Sequence, residues 1–88
     1  MTEATLRIAN KYFLSQLDSV RRASTEYYSA AIRLYLEVEA LQQGVETTEP
    51  LLNAISNEQF AWHNMARARA NMDNARRDLA TTLRPGSQ

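Results

Sequence analysis

The chain has 88 residues, ten basic and ten acidic side chains, no cysteine, and only two glycines and two prolines. A chain this short makes one small domain near the lower limit for a self-sufficient core. Charge that cancels, and a sequence without cysteine, remove a bulk pull toward nucleic acid or anionic membrane, a disulfide framework and a thiolate nucleophile or ligand.

The opening residues lack the basic-then-apolar layout of a secretory leader. Apolar runs such as Tyr12, Phe13, Leu14 stop at three residues, far short of the ~20 a membrane span requires. The expectation is a soluble, cytoplasmic protein with no membrane span.

From Leu6 the sequence settles into a seven-residue repeat. Leu6, Phe13, Val20, Tyr27, Leu34 and Leu41 recur on one line, and Leu17, Ser24, Ala31 and Val38 follow four residues after. Such a 3-4 alternation marks a long helix packed against other helices. Thr2 or Thr5 is placed to cap it and Glu3 to meet its dipole. The helix is expected over about 3–43, with Gly44 at a left-handed stop and Val45 folding back on the last turn.

Residues 44–49 form a short turn, and Pro50 suits the first turn of a second helix over about 50–83, capped by Thr48 or Glu49. A connector this short returns the second helix antiparallel beside the first. Ser56 and Gln59 have capping-box spacing, which allows a kink or restart near residue 57. Leu51, Glu58, Met65, Met72 and Leu79 form one line of this helix, beside an alanine line of Ala54, Ala61, Ala68, Ala75 and then Thr82. Small residues in a row suit close helix approach. Residues 84–88 read as a frayed tail.

Placing Gln43 near Leu51 makes partner positions add to about 94. Asp18 then falls level with Arg76 and Arg77, Glu26 with Arg67 and Arg69, and Arg21 and Arg22 with Asp73. These charges complement one another, although exposed pairs of this kind contribute only about 0–1 kcal/mol each. Asn57, Asn64 and Asn71 also recur every seventh residue, as either an interfacial polar row or a wet helix border.

The fold class is therefore all-α, an antiparallel two-helix hairpin of coiled-coil type forming a single domain over 1–88. Tyr28, Ile32, Tyr35 and Leu36 flank the first seam, and with Tyr27, Phe60 and Trp62 they form more apolar surface than one partner helix covers. A lone hairpin of this size is also marginal on core alone. The expected completion is a four-helix bundle, formed as a homodimer or with a partner protein's helix. Tyr27, Tyr28, Ile32, Tyr35, Leu36, Phe60 and Trp62 are the candidate partner-binding residues.

Catalysis is disfavoured. His63 is the sole histidine, while a metal site needs three or four converging ligands and a nucleophile needs an activating base. No glycine-rich phosphate loop is present. No catalytic, metal or cofactor site is expected, and the function indicated is non-catalytic binding: a small adaptor, assembly factor, inhibitor or chaperone-like protein. The alternative is a small nucleic-acid-binding regulator that uses Arg67, Arg69, Arg76 and Arg77 on phosphates. Acidic neighbours and the absence of a reading motif weigh against nucleic acid.

Overall fold

A computed structural model describes residues 3–45 and 48–84. Two helices account for nearly all of them: α1, Glu3–Gln42, and α2, Thr48–Leu83. They lie antiparallel in a rod with extents of 64 × 15 × 15 Å.

The stop after α1 is chemical. Gly44 takes φ +84°, a conformation that costs an L side chain a clash of its Cβ with the backbone. Its amide donates to the Leu41 carbonyl at 3.0 Å, and the Val45 amide donates to the Ala40 carbonyl at 3.0 Å. This is the Schellman pairing, which satisfies two carbonyls that the helix end leaves open. Thr48 and Glu49 fall inside the first turn of α2 rather than at its cap, and the residue before them lies outside those described. Pro50 sits in that first turn, where its missing N–H would have had no intrahelical partner.

The seam of α2 follows its sequence pattern. Ala54, Ala61, Met65 and Ala75 are buried, and Leu51, Glu58, Ala68, Met72, Leu79 and Thr82 are half-buried. Helix α1 contributes no buried residue at all. Its large line, Leu6, Phe13, Val20, Tyr27 and Leu34, is half-buried along most of the rod.

Three expectations are corrected. First, the α1 seam also takes in a line set three residues after the first, and the expected line four residues after joins it only in part. Ala9, Gln16, Ala23, Ala30 and Glu37 are half-buried, as are Ser24 and Ala31 of the expected line, while Leu17 and Val38 stay more than two-fifths exposed. Small residues on α1 let its backbone approach the alanines of α2; Leu17 and Val38 on that side would hold the helices apart.

Second, the register is one heptad away from the expected one. Tyr27 meets Trp62 and Glu58, and Leu6 shares a groove with Leu79 and Leu83, so partner positions add to about 87. A shift of seven restores the same faces to one another, so the apolar pattern is indifferent to it. The turn decides between them, because α2 starts at Thr48 and a register of 94 would leave its first turn overhanging α1. The ion pairs agree: among the described residues Arg7–Glu3 (3.2 Å), Arg21–Asp18 (2.8 Å), Arg22–Asp18 (3.1 Å) and Arg76–Asp73 each form within one helix. The cross-helix charge pairs of the other register do not form.

Third, α2 runs unbroken through residue 57. Ser56 and Gln59 lie exposed on its surface in a segment with no glycine or proline to release a turn. Asn64 is half-buried while Asn57 and Asn71 are exposed, so the asparagine row borders the seam without entering it.

Candidate interaction surface

Between the two helices the sole aromatic pair of the described residues joins α1 to α2. The Tyr27 and Trp62 ring centroids stand 5.4 Å apart at 62°, an edge-to-face arrangement favoured by the ring quadrupoles. The Glu58 carboxylate, acting on the Tyr27 hydroxyl as a hydrogen-bond acceptor, together with partial desolvation and the carboxylate charge, raises the phenol above its usual 10.0. Glu58 thus has a partner within a largely apolar line. Tyr27 belongs to the hairpin's own seam and is not a free contact residue.

The other expected contact residues are open to solvent: Tyr28 is 71% exposed, Tyr35 65% and Phe60 70%, with Ile32, Leu36 and Trp62 also exposed. They do not form one patch. Phe60 and Trp62 are two residues apart, about 200° around a helix, and must look to opposite sides.

The grooves identify the two sides. Along one, Glu3, Leu6, Arg7 and Asn10 meet Leu79 and Leu83. Stepping by sevens from Arg7 gives Leu14, Arg21, Tyr28 and Tyr35; stepping back from Leu83 gives Arg76, Arg69, Trp62 and Ile55. The seam keeps that seven-residue period, so both lines border the same side, here called the aromatic face. On the other side Glu26, Ser29, Ala30 and Arg33 meet Asn57, and Phe60, one turn beyond Asn57, belongs there. Ile32 lies at the outer edge of the aromatic face, and Leu36 points away from α2.

Leu14, Val38, Ile55, Leu52 and Leu83, all exposed, were not among the expected contact residues. Leu14, Ile55 and Leu83 lie on the same lines as Tyr28 and Trp62, and extending those lines along the sequence would have identified them. His63 is exposed and lines a shallow groove with Tyr27, Glu58, Gln59 and Trp62.

The arginines considered for nucleic acid are dispersed. Arg69 and Arg76 lie on the Trp62 line, Arg67 on the Phe60 line, and Arg77 on the His63 line at the outer edge of the Trp62 side. Arg76 is paired with Asp73, and Arg77 donates to Asn74 at 3.4 Å. Arg69 and Arg76 share the open half of the aromatic face with Arg7 and Arg21, while Arg67 lies on the other side.

Among the described residues, no group of three or more His, Cys, Asp or Glu is placed to hold a metal, and no helix is long and apolar enough to cross a membrane. Comparisons with family models, curated proteins and solved structures give no match.

Proposed function

We propose that the protein is a non-catalytic interaction module, an adaptor, assembly factor, inhibitor or chaperone-like protein, whose aromatic face takes up further helices to complete a four-helix bundle. One observation carries the reading: among the described residues only Ala54, Ala61, Met65 and Ala75 are buried, while sixteen large apolar side chains stay exposed. Its accessible surface is 6825 Å², against about 5,200 Å² for a compact monomer of its 10.0 kDa by size scaling. Surface of this extent and chemistry marks a site of association.

The nucleic-acid alternative has less support, because Arg67 faces away from the other three and Arg76 and Arg77 are engaged by Asp73 and Asn74 on their own helix. The test pairs assembled mass with binding of a solvatochromic dye. The reading expects either assembly of the purified chain or, if it stays monomeric, strong dye binding lost in Ile32→Glu and Tyr35→Glu. A helical, dye-silent monomer would sink it.

A further inference from the structure

Net neutrality conceals a strongly bipolar rod. The open half, residues 1–22 with 66–88, carries nine bases and four acids, a balance of +5; the turn half, residues 23–65, carries one base and six acids, a balance of −5. The aromatic face repeats this division in detail. Its two lines hold Arg7, Arg21, Arg69 and Arg76, with Leu14 and Leu83, in the open half, and Tyr28, Tyr35, Ile55 and Trp62, with no charge, in the turn half.

Resting on the interaction-module reading, we infer that the occupant of the aromatic face is a second copy of this chain, packed inverted about a two-fold axis perpendicular to the rod. Inversion lays the arginine half of each copy over the aromatic half of the other. It converts like-charge ends into opposite-charge ends, and guanidinium planes stack favourably on Tyr and Trp faces. A parallel pair would set Arg21 and Arg69 against their own copies and −5 against −5. A foreign helix would need the same bipolar, half-aromatic layout, which an inverted copy supplies by symmetry.

The available area suffices. A flank 64 Å long and 15 Å wide covers roughly 960 Å² in plan, above the about 800 Å² per partner of a standard stable interface.

The absence of cysteine allows a single spin label at Gln43→Cys, which is exposed on the back of α1 at the turn. In an inverted dimer the two labels stand about 60 Å apart, at 1.5 Å of rise per residue on either side of the centre. A parallel dimer brings them within about 30 Å. The expected result is a dimer with the long distance, weakened about tenfold or more by Arg21→Glu with Arg69→Glu and unchanged by Phe60→Ser on the other side. A dimer with the short distance overturns the inverted packing. A dye-binding monomer overturns the second copy as occupant while leaving the interaction module standing, and a dye-silent monomer removes both.

Discussion

The two helices solve the same packing problem unequally. Helix α2 offers alanines, and three of them are buried, Ala75 completely (0% exposed). Helix α1 offers Leu6, Phe13, Val20, Tyr27 and Leu34, and none is buried. In a two-helix pair a short side chain is readily roofed by its neighbours, while most long ones reach across the seam and emerge at its edge; among the described residues Met65 is the one long side chain that is buried. Helix α1 thus keeps apolar surface that α2 does not cover.

The largest effect comes from breaking the small-lined side. Ala75→Leu should destabilise by about 1–3 kcal/mol through overpacking, lowering the thermal midpoint by about 4–8 °C per kcal/mol. The same change at Ala9, which is only half-buried, should cost clearly less. Equal losses at both sites would erase the difference between the helices.

Next is the turn. Gly44→Ala meets no atom within 4 Å of the new Cβ, so its expected cost of about 1–2 kcal/mol arises from the left-handed backbone alone. Gly44→Asn should recover part of it, since Asn tolerates that conformation.

A smaller effect attends the one tyrosine of α1 tied to α2. Folding raises the Tyr27 phenol through its bond to Glu58, desolvation and the Glu58 charge. Its contribution is therefore complete below the ordinary tyrosine value and lost as pH rises through the folded one. Tyr27→Phe should lower the midpoint slightly at neutral pH and flatten the alkaline decline. Asp18 gives the opposite sign at the acid end, because the hydrogen bond from Arg21 and the charges of Arg21 and Arg22 outweigh its desolvation and lower its carboxyl. That contribution is present above the usual 3.8 and lost as pH falls through the depressed value. The smallest effect is expected at Ser56→Ala, which should be neutral or slightly stabilising, since the serine caps nothing in a continuous helix.

The sequence showed both helices to within two residues, because glycine and proline fall only at their ends and the heptads run without interruption between. It also marked the alanine line of α2 and the Schellman stop at Gly44. Register was hidden, since a seven-periodic stripe fits itself after any shift of seven, and the charges at Asp18, Arg21, Arg22 and Asp73 found partners three or four residues away on their own helices. Proximity in sequence misled at the surface. Phe60 and Trp62 look like one aromatic cluster, but helical rotation sends them to opposite sides, and only the line through Tyr28, Tyr35 and Trp62 survives as a shared face.

The central claim, that this hairpin completes its core by association, is tested most directly by absolute mass from light scattering across a concentration series, with circular dichroism on the same samples. The account predicts a helical species of twice the 10.0 kDa chain mass, whose helix content and thermal midpoint fall on dilution. A stable 10.0 kDa monomer, fully helical and with a midpoint independent of concentration, would contradict it.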